Sequence, residues 1–244
     1  LASSPLVGSI GIGHTRWATH GPAIVANAHP HRGERVAVVH NGIIENYKGL
    51  KKKLIADGIS FSSDTDTEVI AHLFSQNLNG HDDIRQAAAR TFAALEGAYA
   101  IALIVDGNED EIVVARKGSP LAIGHGDGEM YLGSDAFALA PFTNRVCYLK
   151  DGDWAVMRGD GAEIFALGQD GAVERQVETV DAAAAMVDKG NYRHFMMKEI
   201  HEQPEVLSRT FGQYIDPEAR GVLLPENNLD FSKINRVILV ACGT

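Results

Sequence analysis

Cysteine is scarce in this chain: Cys147 and Cys242 are the only two in 244 residues, ninety-five positions apart. A disulfide framework is therefore not expected, and a reducing compartment, the cytoplasm, is the expected location. Basic charge is short as well. Lys and Arg number 22 against 32 Asp and Glu, giving a net charge of −10, which argues against nucleic acid or an anionic membrane surface as a partner. Long apolar runs are missing too. The longest, 98–105, has eight residues, far short of the roughly 20 that a membrane-spanning helix needs. No H-E-x-x-H motif occurs, and no serine stands in a nucleophile-elbow context.

Apolar residues make up 45% of the chain, enough for a substantial core, and 25 glycines suit a fold rich in turns and close backbone approaches. Residues 9–14 and 36–40 read as buried strands. A helix is predicted over 45–57, with Leu50, Leu54 and Ile55 on one face and Gly58 as its stop. Thr65-Asp66-Thr67-Glu68 has capping-box spacing, with Thr65 as the cap, and opens a helix carrying Val69, Ile70, Leu73 and Phe74. A further helix is predicted over 82–95.

Beyond Gly97 the pattern changes to short strands at 99–105, 111–116, 121–123, 130–133, 146–149, 155–158 and 163–167. Turns such as Asp106-Gly107 and Asp127-Gly128 separate them. This reads as an antiparallel meander packed with two or three helices, an α+β arrangement. Residues 168–191 are polar and linker-like. Residues 192–202 read as a helix ended or kinked by Pro204. The apolar strand 237–241 runs into Cys242-Gly243-Thr244, as at the start of a doubly wound α/β domain.

Two stretches carry the chemistry: His14-Thr15-Arg16-Trp17-Ala18-Thr19-His20-Gly21 and His40-Asn41-Gly42-Ile43-Ile44-Glu45-Asn46. Arg16 offers a planar fork for a carboxylate, with the Thr19 hydroxyl nearby; a structural ion pair is the plain alternative. Asp66 can accept from a substrate ammonium, or it can simply cap a helix, although Thr65 is expected to hold that place. Asn41 and Gly42 can together donate to an oxyanion. On spacing alone, however, Asn-Gly is more readily a type I′ turn. The pair His29-Pro30-His31 raises a metal-dependent hydrolase, but no carboxylate-rich ligand set accompanies it, and no metal is expected. Gly124-x-Gly-x-Gly128 reads as a hairpin. Neither cysteine looks like a nucleophile, since Cys147 lies within a strand where a small buried residue is expected.

In this order, these stretches resemble the class II glutamine amidotransferases. Asn27-Ala28-His29-Pro30-His31 and Gly118-Ser119-Pro120-Leu121 fit the family as well. The run from Tyr192 through Pro204 and the closing Ala241-Cys242-Gly243-Thr244 are similar to its fructose-6-phosphate aminotransferase (isomerizing) branch more than to the amidophosphoribosyltransferases, the runner-up. The resemblance implies a four-layer αββα N-terminal-nucleophile hydrolase fold. It also implies L-glutamine and fructose 6-phosphate as substrates, no cofactor, and a homodimer in the full-length enzyme. Arg16, Thr19 and His20 would bind glutamine's carboxylate end and Asp66 its amino group. Asn41 and Gly42 would form the oxyanion hole, and Trp17 would gate an ammonia channel, a core aromatic being its plain alternative. Thr244 would reach the sugar phosphate.

Residues 1–181 would be the glutaminase domain lacking its first part, 182–190 a linker, and 191–244 the start of the sugar-phosphate isomerase domain. The family's nucleophilic cysteine opens the mature chain, and residues 1–11 do not provide it. The chain is therefore expected to be a fragment, inactive alone as a glutaminase; a glutamine-binding fragment without chemistry stays open as an alternative.

Overall fold

The computed structural model describes residues 8–16, 18–78, 83–180, 191–216, 221–222, 233–236 and 238. It divides into two compact units, residues 1–187 and 188–244. In chain order the first unit holds β1 (His31–Arg32), β2 (Val36–Ile44), α1 (Tyr47–Ala56), α2 (Glu68–Leu78), α3 (Ile84–Ala94), β3 (Gly97–Val105) and β4 (Asn108–Lys117). There follow β5 (Ala122–His125), β6 (Met130–Gly133), α4 (Ala136–Leu139), β7 (Arg145–Tyr148), β8 (Asp153–Arg158), β9 (Gly161–Ala166) and β10 (Val177–Thr179).

Two sheets form, a six-stranded one in the order β1-β2-β3-β4-β8-β9 and a four-stranded one in the order β10-β7-β5-β6. Their neighbouring strands pair antiparallel. The period-2 alternation of β2 and β3 decides what each face meets. Val36, Val38 and Ile44 on β2, with Tyr99, Ile101 and Leu103 on β3, pack against Ile70 and Phe74 of α2 and Phe92 of α3. The opposite face carries Val39 and the small Ala100 and Ala102, which lets Leu121, Ile123, Cys147 and Leu149 of the second sheet's side close in. That sheet's outer face, Ala122 and Val146, is covered by Ala136 and Leu139 of α4. The layers thus run helix, sheet, sheet, helix. Each fully buried Leu, Ile or Phe in them contributes about 1.5–3 kcal/mol of transfer free energy.

Several sequence expectations need correction. Residues 9–14 form no strand; Gly8, Gly11 and Gly13 interrupt the segment, and glycine weakens a strand that lacks side chains to pack. The Asn41-Gly42 turn does not exist. β2 runs straight through it, with Asn41 opposite Ala100 and Gly42 opposite Tyr99, because β3 offers a partner all the way from Val36 to Ile44. Thr65 is not the helix cap, since α2 starts only at Glu68. The meander is also broken: β5, β6 and β7 leave for a second sheet before β8 returns to pair with β4. Within the linker-like stretch 168–191, Val177–Thr179 form the edge strand β10, held by the Cys147, Val146 and Arg145 register of β7, while the linker expected at 182–190 lies outside the described residues.

In the second unit α5 (Phe195–Tyr214) leads into a short antiparallel pair, β11 (Ile215–Asp216) and β12 (Gly221–Val222). Pro204 does not end α5, which continues for ten residues beyond it. Two i,i+4 ion pairs, the half-buried Lys198–Glu202 before it and the exposed Glu205–Arg209 after it, favour helix on both sides. The strand expected at 237–241 lies outside the described residues except Ile238, and so does Cys242-Gly243-Thr244. Among the described residues, no helix is long and apolar enough to cross a membrane.

Candidate functional site

Four pieces of chain meet at one cavity of about 230 Å³: the 14–20 loop, His29, the 40–43 stretch of β2, and the 65–67 turn before α2. Its walls bring together Arg16, Thr19, His20, Asn41, Gly42 and Asp66, the residues singled out from the sequence. They also include His14, His29, His40, Thr65 and Thr67. Trp17 and Thr244 lie outside the described residues.

The 14–20 loop is held by Arg16 itself. Its Nη1 donates to the Pro22 carbonyl at 3.1 Å, and its Nη2 to those of His20 at 2.8 Å and Gly21 at 3.2 Å. Its backbone N–H donates to His14 Nδ1 at 2.8 Å, and its φ is +44°, the one left-handed non-glycine residue among those described. A non-glycine residue held in that region is strained, and such strain concentrates at functional sites. Asn27, fully buried, secures the far side. Its Nδ2 donates to the Pro22 carbonyl at 3.1 Å while its Oδ1 accepts from the Asp64 N–H at 3.0 Å, tying the Arg16 loop to the acidic turn.

Asp66 is 2% exposed, and its Oδ2 accepts from the Ile44 N–H at 2.8 Å. Its Oδ1 lies 3.6 Å from His20 Nδ1, a buried nitrogen with no hydrogen-bond partner. The turn is anchored from below by Glu68, which accepts from the N–H and hydroxyl of both Ser62 and Ser63 at 2.6–2.8 Å. The hydrogen bonds from Ser63 and Ser62 outweigh the opposing desolvation and hold that carboxyl down to about 2. Glu68 therefore reaches back to the 62–63 backbone instead of to Thr65, whose hydroxyl pairs with His31 Nε2 at 3.1 Å.

Gly42 has φ +131°, and a Cβ there would sit 2.1 Å from the Ala98 carbonyl oxygen of β3. Only glycine fits so close to a neighbouring backbone.

His14, His29, His31 and His40 do not make this a cationic site. Burial, assisted by the neighbouring imidazoles and, at His29, by Arg16, lowers His29 and His40 to about 3. Burial also lowers His14 and His31. Near neutral pH these rings are uncharged, so Arg16 and Asp66 supply the opposite charges of the cavity. Among the described residues no group of three or more His, Cys, Asp or Glu is placed to hold a metal ion. The imidazoles contact threonine hydroxyls and one another instead, with ring centroids of His14 and His29 4.4 Å apart and those of His29 and His31 4.9 Å apart. Cys147, buried on β7, is not among the lining residues.

The arrangement pairs a cation, an anion and amide donors around a space of amino-acid size. A family profile described as "Glutamine amidotransferase domain" matches residues 18–141. The chain belongs to the glutamine amidotransferase family. Over its whole length it is 56% identical to a glutamine–fructose-6-phosphate aminotransferase [isomerizing] of Mesorhizobium japonicum and 52% identical to one of Zymomonas mobilis. It spans about 40% of the length of those relatives. Among solved structures, glutamine phosphoribosylpyrophosphate amidotransferase from B. subtilis superposes with a TM-score of 0.54 at 27% identity, covering 65% of this chain and 35% of that one. An allosteric regulatory enzyme of purine biosynthesis gives 0.51 at 30%, covering 63% and 34%. The helix–sheet–sheet–helix layering is the αββα N-terminal-nucleophile hydrolase fold of this amidotransferase family.

Sequence reasoning missed Asn27, Thr67 and His40 as parts of the site. Asn27 and His40 stand inside motifs that were noticed, but no local pattern says that Asn27 bridges two loops or that His40 turns toward the helix layer.

Proposed function

We propose that this chain is the glutamine-handling part of an amidotransferase that hydrolyses L-glutamine and delivers the ammonia to fructose 6-phosphate, forming glucosamine 6-phosphate and glutamate. One observation carries the reading: Arg16, Asp66 and the Asn41-Gly42 pair line a single cavity. The high identity to the fructose-6-phosphate branch favours that acceptor over the phosphoribosyl substrate of the more distant solved structures.

In this reading Asp66 takes the α-ammonium, with its Oδ2 already held by Ile44 and its Oδ1 available beside His20. Arg16 takes the α-carboxylate. Its Nε–H has no partner among the described residues, so a two-point grip through Nε and Nη2 requires Nη2 to give up a carbonyl, the 3.2 Å contact to Gly21 being the longer of its two. Thr19 and His20 stand beside that end. The Asn41 side-chain amide and the Gly42 N–H stabilise the tetrahedral oxyanion, where losing one donor typically costs roughly 3–4 kcal/mol. The cavity lining offers positioning groups and no thiol, so attack falls to a nucleophile beyond those residues. No cofactor takes part. The scarcity of cysteine and the phosphorylated acceptor fit a cytoplasmic enzyme, and the family resemblance assigns residues 191–244 to the isomerase part and a homodimer to the full-length protein.

Calorimetry of the chain with L-glutamine, with and without Asp66→Asn, tests the site. Saturable binding that the substitution weakens is expected, and no binding, or equal binding by both, refutes it. Formation of glucosamine 6-phosphate from glutamine and fructose 6-phosphate by the full-length protein tests the acceptor.

A further inference from the structure

Thr67 stands between two histidines. Its Oγ1 lies 3.2 Å from His29 Nε2 and 3.0 Å from His40 Nδ1, with Thr67 itself 2% exposed. The remaining ring nitrogens, His29 Nδ1 and His40 Nε2, are both buried without a hydrogen-bond partner among the described residues, and both residues line the cavity. Buried polar atoms normally find partners, so two orphans at the ends of one connected chain call for an explanation.

A threonine hydroxyl has one proton to donate, and a neutral imidazole has one N–H and one acceptor nitrogen. With each ring bonded to the same hydroxyl, and that hydroxyl donating to one of them, only two arrangements exist. In the first, His29 Nε2–H donates to Oγ1 and Oγ1–H donates to His40 Nδ1, so both rings carry their proton on Nε2. In the second, Oγ1–H donates to His29 Nε2 and His40 Nδ1–H donates to Oγ1, so both carry it on Nδ1.

We propose that His29, Thr67 and His40 form a two-state proton relay in the cavity wall, with Thr67 the positioning residue that obliges both rings to adopt the same tautomer. Passage from the first state to the second breaks His29 Nε2–H as a new Oγ1–H forms, and breaks the old Oγ1–H as His40 Nδ1–H forms. One proton is taken up at His29 Nδ1 from water or substrate entering the cavity that both residues line, and one is released from His40 Nε2 to the same cavity, so charge balances. No ring has to be held as an imidazolium. That matters because burial, with His14 and His31 beside them, disfavours the charged form of these rings. Amide cleavage requires a proton to be withdrawn from the nucleophile and another supplied to the departing nitrogen. The relay rests on the proposed glutaminase reading for its use, although its geometry does not.

The test is the tautomer of each ring, read by long-range proton–nitrogen NMR on the chain labelled with 15N-histidine at neutral pH. His29 and His40 are expected to share one tautomer, or to exchange between the two with equal populations. Opposite tautomers overturn the relay. Thr67→Ser should keep the correlation and Thr67→Val should abolish it; a valine variant that keeps it overturns the proposal. If the valine variant does not fold, the native and serine spectra still decide. Addition of L-glutamine separates this inference from the functional reading. Matched tautomers with no response to glutamine sink that reading and leave the relay standing. A clear glutamine response with mismatched rings does the reverse.

Discussion

Asp66 accepts from the backbone N–H of Ile44 at 2.8 Å, across twenty-two residues of sequence. This bond fastens the turn before α2 to the end of β2, so the proposed ammonium acceptor and the proposed oxyanion donors move as one piece. It also makes the charge at position 66 separable from the structure. Asp66→Asn retains an oxygen for Ile44 and loses only the negative charge. We expect its folding stability to stay close to the parent while glutamine affinity falls by roughly 2–5 kcal/mol, the usual cost of removing one member of a buried charge pair. Calorimetry beside urea denaturation separates the two effects, and an unchanged dissociation constant would remove Asp66 from the site.

Gly42 presents the opposite case, in which structure and function cannot be separated. Gly42→Ala drives a methyl group against the Ala98 carbonyl, 2.1 Å away, at a φ of +131°. The atoms it meets are all β3 backbone, at Ala98 and Tyr99, which cannot swing aside as a side chain could. We expect a loss of at least about 2 kcal/mol in unfolding free energy, read from the urea midpoint. A variant as stable as the parent would show that β2 and β3 do not pair here as described.

The same glycine shows where the sequence could be read and where it could not. The apolar alternation of 99–105 and the 3.6-residue spacing of Ile84, Ala88 and Phe92 are local signals, and both elements form close to where they are expected. Asn41-Gly42 carries a turn signal of equal strength, but β3 pairs along the whole of β2 and overrides it. Partner strands and tertiary reach are invisible to local pattern, which is also why Glu68 bonds Ser62 and Ser63 instead of completing a box with Thr65. Of the site, Arg16 and Asp66 could be singled out by their chemistry, whereas the Asn41-Gly42 pair read as a turn on spacing alone and entered the site only through the family resemblance. Asn27 and Thr67 were not, since what ties them into the site is a set of long-range bonds, Asn27 to Asp64 and Thr67 to His29 and His40, twenty-seven to thirty-eight residues apart in sequence.

Acid should weaken this fold in two overlapping windows. His29 and His40 are depressed from an ordinary 6.5 to about 3, so the unfolded chain binds protons there first and stability falls as pH drops from about 6.5 toward 3. Glu68 is depressed from 4.5 to about 2, and its contribution is present above 4.5 and lost toward 2. Both act in the same direction. Urea midpoints should therefore decline between pH 7 and pH 4, with Glu68→Gln flattening only the lower part of the curve. A midpoint constant over that range contradicts the burial of these rings.

Arg175 and Asp153 hold the return of the chain from β9 toward β10. The carboxylate is 1% exposed, and it receives Arg175 Nε and Nη2 at 2.7 Å each, as well as the Lys150 N–H at 2.7 Å. The Val173 N–H donates to the Ile164 carbonyl at 2.7 Å immediately before it, so the segment lies along β9 and cannot readily withdraw. Arg175→Met keeps most of the apolar stem but strands the buried carboxylate, which typically costs about 3–5 kcal/mol. Pairing it with Asp153→Asn should restore part of that loss, because an amide oxygen can still accept from Lys150 without carrying charge. A thermodynamic cycle over the four proteins measures the coupling. Were Arg175→Met alone to lie within about 1 kcal/mol of the parent, as exposed pairs do, the ion pair would not be what fixes this segment.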